Sequence, residues 1–519
     1  MKLKQRLSIS ALCLSLFTTS HIHAQTIDDA LVFTKEDNGT SARIRGLGNA
    51  QTALGGDISS INGNPAGLGF FSRSDISLTL NQLQNNNNIG YLGSNMNTKK
   101  GNFGIDQTGV VFHFPIRNHS PWQSFNMGVS YNKTQNFNNF RSYEGENNNT
   151  TYVSALADIM PFDPDFEDDF YYNSNIVEQY PNANNGYFPL AMENGNKMQY
   201  HEHNVKGNRA KTAIAFGANY NNQFYIGASL GITSFKYDKR TQFIENGWTK
   251  SPADVAAINP GSIFVDPDNL EYDYLDASYE LFDNYSQITE GSGIDVKLGV
   301  IYKPAVDWNI GVTVSTPTVT TIKEDTEFYT DIDFYHDETA DDPFPDDWQY
   351  RSDYYDSALD YRLTTPWKFA VGISKFFGDG LITADAEVID YSTMKYANLS
   401  SRSVGPNNNF QDINNSIQDT YRTAVNIRIG GEYLFTNILS GRAGFNYYGN
   451  PYKDADDSNL SGSLGLGVKL NQSLYVDFAV NHHVNSYKEA AYLLNSQPSP
   501  IADISHKRTN IAVTLGAKF

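Results

Sequence analysis

The sequence predicts an all-β protein, a transmembrane antiparallel β-barrel of about 14 strands. Strand-length segments alternate with a period of two, as in SFNMGVSYN, where Phe125, Met127, Val129 and Tyr131 share one face and Asn126, Gly128, Ser130 and Asn132 the other. The connections between segments alternate as well, short on one side and long on the other, as short periplasmic turns and long outer loops would. Mean hydropathy is -0.46, and no window past residue 24 approaches a spanning helix. Yet the chain holds 33 Tyr and 31 Phe, an excess of amphipathic aromatics that suits the two membrane interfaces.

Residues 1–24 read as a secretory signal peptide, cut after Ala24. Lys2, Lys4 and Arg6 precede an apolar run from Ile9 to Phe17, about half the ~20 residues that a spanning helix needs. The single cysteine, Cys13, lies inside this segment, so the mature chain is expected to have no disulfide and no cysteine metal site. Cleavage removes three of 38 basic residues and none of 58 acidic ones, taking the net charge from -20 to -23. A surface that acidic argues against a nucleic-acid partner.

Residues 25–72 form a separate N-terminal unit ahead of the barrel, 73–519. They include INGNPAGLGFF, residues 61 to 71. Asn64-Pro65-Ala66-Gly67 reads as a bend, because proline lacks a backbone donor and restricts the residue before it.

Strands are expected near residues 74–83, 108–116, 124–135, 210–221, 223–237, 292–303, 307–316, 361–376, 380–391, 420–435, 439–448, 460–470, 473–487 and 508–519. Apolar sets such as Phe224, Ile226, Ala228, Leu230 and Ile232, or Ile294, Val296, Leu298, Val300 and Tyr302, define the lipid-facing side. Short turns fall at Asn221-Asn222, Pro304-Ala305-Val306, Gly378-Asp379, Thr436-Asn437 and Asn471-Gln472. An even strand number puts both termini in the periplasm and the connections 136–209, 238–291 and 317–360 outside the cell.

The last stretch, RTNIAVTLGAKF, places Ile511, Val513, Leu515, Ala517 and Phe519 on one face. By likeness to other outer-membrane proteins, Val513, Leu515 and the terminal Phe519 are expected to be the signal read by the barrel assembly machinery. The loops are rich in Asn, Asp and Tyr. Their acidic clusters, Asp341, Asp342, Asp346 and Asp347, and Asp266, Asp268, Glu271 and Asp273, lack the spacing and turn glycine of a calcium loop and read as solvated surface.

Three sets of motifs point to a family. Ser41-Ala42-Arg43, Gly46-Leu47-Gly48-Asn49-Ala50 and Asn64-Pro65-Ala66-Gly67-Leu68 lie in the N-terminal unit; Thr365-Pro366-Trp367-Lys368 and Ala384-Asp385-Ala386-Glu387 follow; Arg442-Ala443-Gly444-Phe445 leads to Asn450-Pro451-Tyr452. Together they resemble the FadL/TodX family of outer-membrane transporters for long-chain fatty acids and other hydrophobic compounds. The resemblance implies a small N-terminal hatch inside the lumen, with Asn64, Pro65, Ala66 and Gly67 as its gate. It also implies a monomer that passes hydrophobic small molecules or fatty acids passively toward the outer-membrane lipid, with no cofactor and no catalytic residue. Tyr171, Tyr172, Phe328, Tyr329, Phe334 and Tyr335 are then candidates for first capture.

Other functions rest on less. A TonB-dependent transporter needs a plug and about 22 strands, more than this length allows. FadL-like barrels that resemble parts of protein secretion machinery offer a scaffold reading, which a polar lumen behind the hatch would favour. Haem uptake would use His482 or His483, but neighbouring strand residues point to opposite faces, so one at most reaches the lumen. An enzyme would use the inward Ser130 and His113, which nothing in the sequence holds together.

Overall fold

The computed structural model describes residues 27–37, 40–116, 120–159, 174–181, 186–266, 275–335, 349–351, 355–399, 410–454, 459–495 and 497–519. The signal peptide of residues 1–24 lies outside the described residues. Fourteen antiparallel strands close into a barrel, each paired with its sequence neighbour and the first with the last, Asp75 opposite Lys518 through Tyr91 opposite Ala502. They are β1 (Asp75–Tyr91), β2 (Ser94–Pro115), β3 (Trp122–Asn136, extended by Asn139–Asn147), β4 (Lys197–Tyr220), β5 (Phe224–Trp248) and β6 (Ser278–Ala305). Then come β7 (Trp308–Ser315 and Val319–Tyr335), β8 (Tyr355–Thr364 and Lys368–Phe377) and β9 (Gly380–Asp390 and Lys395–Asn398). β10 (Thr423–Leu434), β11 (Leu439–Tyr448), β12 (Asn459–Lys469), β13 (Leu474–Ala490) and β14 (Ile501–Lys518) complete the wall. Closure pairs the strand edges internally, the condition for a sheet to sit in lipid, except along the upper part of β2.

The apolar faces read from the sequence point outward. Ile226, Leu230 and Ile232 on β5, Ile294, Leu298 and Val300 on β6, and Leu464 and Leu466 on β12 are all exposed large hydrophobics. On β5 the outward series is apolar from Phe224 to Ile232 and turns charged at Lys236, which pairs with Glu290 at 2.7 Å. That stretch matches the ~9–11 residues a tilted strand needs to cross a bilayer core. Aromatics gather at the short-turn rim: Phe224 stacks on Tyr302 (4.7 Å between centroids), Trp122 meets Tyr220 (5.0 Å) and Tyr433 meets Phe435 (5.5 Å). Asn221 and Asn222 both take positive φ, 53° and 54°, so the turn follows the twist of the strands it joins.

Several strands run beyond the expected ends. β1 and β2 continue to a two-residue turn at Leu92-Gly93, where a connection over 84–107 is expected from the alternation. β4 to β7 likewise reach far into the predicted loops 136–209, 238–291 and 317–360. Above the apolar band the outward face turns largely polar while the inward face keeps buried apolar residues such as Tyr237, Phe243 and Leu281, so the lipid-facing signal fades while backbone pairing persists. The strand expected at 361–376 is broken at Thr365-Pro366-Trp367, level with a break at Thr316-Pro317-Thr318 in β7. Two prolines without amide donors interrupt the ladder side by side. The strand expected from residue 420 starts at Thr423, after a helix over Gln411–Thr420.

At the long-loop rim a helix (Tyr152–Ile159) and a ribbon (Val177–Gln179 with Tyr187–Pro189) pack into an aromatic-rich core with Tyr91, Tyr143, Phe243, Tyr279 and Tyr492. Glu245 is fully buried beneath them. It accepts hydrogen bonds from Tyr152 N (2.9 Å), Tyr279 Oη (2.7 Å) and Gln199 Nε2 (2.5 Å). This cap is held by directional bonds as well as by apolar contact.

Candidate functional site

Residues 27–37 and 40–71 of the same chain pack against the inner face of the wall. Two short helices, α1 (Ile27–Val32) and α2 (Ala42–Gly46), are followed by two single turns, Ile58–Ile61 and Pro65–Phe70. Ser41 starts α2 by accepting from Ile44 N, and its own hydroxyl donates to Asp57 at 2.9 Å. Asn64 starts the last turn: Oδ1 accepts from Ala66 N (3.1 Å), while Nδ2 donates to Thr52 O (2.7 Å) and to Val300 O (3.4 Å) on β6. Pro65 then supplies a preset φ and needs no partner for a missing amide. The side chain at the bend thus satisfies groups that no water reaches, and it joins the segment to the wall.

Small inward residues make room for this backbone. Gly217, Gly227 and Gly299 stand side by side on β4, β5 and β6. A Cβ at Gly217 would lie 2.6 Å from Leu68, one at Gly227 would strike the Pro65 carbonyl, and one at Gly299 the Asn64 amide. The same close approach recurs at Gly311 and Gly372 beneath Thr52, and at Gly430 and Gly444 beneath Leu47 and Gly48. A belt of glycines therefore receives the two N-terminal motifs, Gly46-Leu47-Gly48 and Asn64-Pro65-Ala66.

Charged groups fix the rest. Asp385 on β9 accepts the consecutive amides of Gln51 and Thr52, each at 2.8 Å, and Asn309 on β7 donates to Ala53 O at 3.0 Å. Arg43 pairs with Glu432 (3.1 Å), which also takes Arg442 (2.5 Å), and Arg442 reaches Asp477 (2.6 Å). Arg45 bonds Asp106 on β2, which Lys133 on β3 approaches at 3.7 Å. Glu36 lies between Lys368 (2.9 Å) and Arg209 (3.2 Å). Burying this many charges is tolerable only because each is paired.

The wall is incomplete at one place. β2 pairs with β3 from Gln107 opposite Asn132 to Pro115 opposite Ser124, and no farther. The extension of β3 follows β4, Asn139 opposite Val205 to Asn147 opposite Lys197, and bends over the inside of the first hairpin. There Asn87 donates to Phe140 O (2.8 Å) and Asn139 Oδ1 (3.0 Å), and Thr98 to Phe140 O (2.7 Å). Among the described residues, Ser94–Ile105 is paired to β1 alone. Across this break in the ladder Asn136 donates to Asn102 Oδ1 at 3.2 Å, and Phe103 and Ile105 of β2 are exposed on its outer side.

The other residues singled out in the sequence are scattered. Ser130 accepts from Asn62 (3.2 Å) and Asn132 (2.8 Å), whereas His113 shares 2.7 Å with Asn126, so the two do not meet. His482 is exposed beside Thr509 (2.9 Å), and His483 faces a small polar cavity with Arg45, Arg508 and Asn481. Leu515 and Phe519 point outward, and the Phe519 amide closes onto Ser74 O at 2.9 Å. Phe334 is a buried member of the cap core and Phe328 and Tyr329 are half-buried on β7, while Tyr171 and Tyr172 lie outside the described residues. The cluster Asp341, Asp342, Asp346 and Asp347 also lies outside them, as do Asp268, Glu271 and Asp273. Among the described residues no group of three or more His, Cys, Asp or Glu could hold a metal ion. Asp385, Arg442 and Gly444 stand in the motifs that carry the family resemblance but were given no role there, and Glu432 and the other belt glycines were not singled out in the sequence. Their signal is there, as mid-strand glycines and charges on the inward register, but only a partner inside the lumen gives it meaning.

No protein-family model matches the chain, and no curated protein does. Among solved structures, the toluene transporter TodX of P. putida matches over 93% of this chain and 99% of its own, with a TM-score of 0.51 at 14% identity. A Pseudomonas aeruginosa FadL homologue matches over 94% and 98%, with a TM-score of 0.50 at 15% identity. At these identities the likeness is one of fold.

Proposed function

We infer that this chain is a FadL/TodX-type channel of the outer membrane that takes up hydrophobic compounds, long-chain fatty acids among them, without an energy source. The observation that carries the reading is the gap between β2 and the inward extension of β3. An apolar solute that enters beneath the cap meets this break in the strand ladder beside the exposed Phe103 and Ile105, and leaving sideways there spares it the polar layer around the cell. Residues 25–72 act as the hatch, with Asn64, Pro65, Ala66 and Gly67 as its gate. Both termini lie in the periplasm, on the side of the short turns. The barrel works as a monomer, and the assembly machinery reads Val513, Leu515 and Phe519 on the last strand.

The test compares uptake of oleate and of toluene in cells with the gene, without it, and with Asn64→Ala. Deletion is expected to lower uptake. The variant is expected to change uptake while the folded, heat-modifiable barrel persists, because it strips partners from buried groups of the hatch at about 1–3 kcal/mol each and leaves the strand ladder intact. Equal uptake by wild-type and deletion cells across several hydrophobic compounds would reject transport. A second reading would then stand, a scaffold in a protein secretion machine, which the buried ion pairs of Arg43, Glu432, Arg442 and Asp477 favour because they make that part of the lumen polar.

A further inference from the structure

Past the hydrocarbon, the wall between β9 and β10 is completed by a helix instead of a strand. β9 continues as Lys395–Asn398, which among the described residues pairs with β8 alone, because β10 begins at Thr423. The helix Gln411–Thr420 covers the other edge: Tyr396 N donates to Asn414 Oδ1 (2.8 Å), and Asn414 Nδ2 donates to Tyr396 O (3.0 Å), as a neighbouring strand would. Phe410 stacks on Tyr396 at 5.9 Å and Ile417 is buried with Tyr361 and Tyr421, which fixes the apolar side of the helix inward.

On the outer side, strand and helix leave an open furrow of about 390 Å³, lined by Lys395, Ala397 and Asn398 from β9 and by Gln411, Asn415 and Gln418 from the helix. The helical residues recur at i, i+4 and i+7 and so share a face, whereas Asp412 and Asp419 lie on the next face, exposed to solvent. Arg362 on β8 stands opposite Ala397 and diagonal to Lys395, and it points outward because Tyr361 and Leu363 on either side of it are buried inward. Among the described residues the charged groups of Arg362 and Lys395 have no hydrogen-bond or ion-pair partner, and Arg362 Nε is buried without an acceptor. The carboxylates nearest in register are otherwise placed: Asp360 stands opposite Lys323, and Asp390 accepts from Ser392 N (3.2 Å) and Oγ (2.7 Å).

Register also sets the height of the furrow. Thr364, paired with Lys395, pairs on its other side with Val319, and Val319 with Ile294, both outward apolar residues at the edge of the lipid-facing band. Trp367, exposed at the break in β8, puts an indole at the same level, as membrane interfaces favour. With the long loops outside, as inferred above, the furrow faces the headgroups of the outer leaflet.

We propose that this furrow binds the phosphorylated saccharide headgroup of an outer-leaflet glycolipid, its phosphate on Arg362 and Lys395 and its hydroxyls on the side-chain amides of Asn415 and Gln418. Guanidinium and ammonium groups bond phosphate oxygens strongly, and an amide offers both a donor and an acceptor to neighbouring hydroxyls. Neither amide has a side-chain partner among the described residues. The site is separate from the path of any cargo and would tie β8, β9 and the helix to the membrane surface.

The experiment uses the full mature chain in detergent and counts bound lipid by native mass spectrometry. The probe is a lipopolysaccharide truncated to lipid A and inner core; dioleoyl phosphatidylglycerol supplies an anion without a saccharide, and inorganic phosphate an anion without a lipid. Wild type is expected to retain one glycolipid at least tenfold more tightly than phosphatidylglycerol. Arg362→Gln with Lys395→Gln should weaken it at least tenfold, and Asn415→Leu with Gln418→Leu at least fivefold with no change toward phosphatidylglycerol. Lys236→Gln, an outward cation paired with Glu290, should stay within twofold. Every variant is first checked for heat-modifiability, and Lys395→Gln alone, at an exposed position, carries the comparison with a smaller loss if a double variant does not fold. Undiminished glycolipid binding by either pair of exchanges, or phosphatidylglycerol held as tightly, overturns the proposal. Displacement of the glycolipid by millimolar phosphate overturns it too, since the furrow would then be a site for free anions.

Discussion

The two faces of the barrel wall are made from the same strands and obey different rules. Outward positions share one requirement, to be apolar, and Leu, Ile, Val and Phe succeed one another there without a specific partner. Inward positions are individual: Gly299 must be small because the Asn64 amide lies over it, and Asp385 must accept because two amides point at it. Lipid adapts to any apolar surface, whereas a folded segment does not. The outer face therefore tolerates exchange within a class, and the inner face records what it encloses.

The largest effect is expected where an inward group serves several partners. Arg442→Met leaves Asp477 buried without its cation and Glu432 with Arg43 alone, and should cost about 3–5 kcal/mol. Urea unfolding in detergent, followed by heat-modifiability, measures it. A loss no larger than that of a lipid-facing exchange would erase the distinction between the faces.

On the outer face, Leu298 is 56% exposed in the middle of the apolar band of β6. Leu298→Lys is expected to destabilise by about 2–4 kcal/mol, the cost of a charge near the bilayer midplane. Leu298→Ile should cost less than about 1.5 kcal/mol. The same unfolding assay in lipid vesicles tests the pair, and equal effects of the two changes would mean that this position is not facing hydrocarbon.

A smaller effect, visible only in the enclosed segment, comes from Asp28 on α1. Burial, followed by the nearby Asp29, pushes its carboxyl up from 3.8 to about 6. Its pKa is raised on docking, so the contribution to docking is fully present below about 3.8 and is lost as pH rises through about 6. Hydrogen exchange of the α1 amides, corrected for intrinsic rates, should be faster at neutral pH than at mildly acidic pH, with no matching change in the strands. An unchanged rate would show that Asp28 is equally at ease in both states.

Outer and inner faces also differ in how much the sequence revealed. The strand count, the lipid-facing sets and the short turns were legible because a two-residue alternation against lipid is a strong, local signal. The upper halves of β4 to β7 were not, since no apolar set faces lipid there and their inward aromatics, such as Phe243 and Tyr279, read equally as loop residues. Pro317 and Pro366 were visible as residues, but their side-by-side position emerges only from the register of β7 against β8. The bend at Asn64 could be read as a bend; that its amide bridges Thr52 and Val300 depends on contacts 12 and 236 residues away in the chain. The cations around Glu36 come from β4, β6 and β8, and no spacing in the sequence relates them.

The length of β5 sets where the protein meets its surroundings. From Ser234, just past the last outward apolar residue, to Trp248 the strand continues for 15 residues, which at ~3.3 Å per residue and a tilt near 40° raises the rim about 40 Å above the hydrocarbon. The protein stands like a mast rather than lying flush like a drain. Its tip stands clear of the bilayer, and a solute that adheres there contacts polypeptide well before it contacts the membrane.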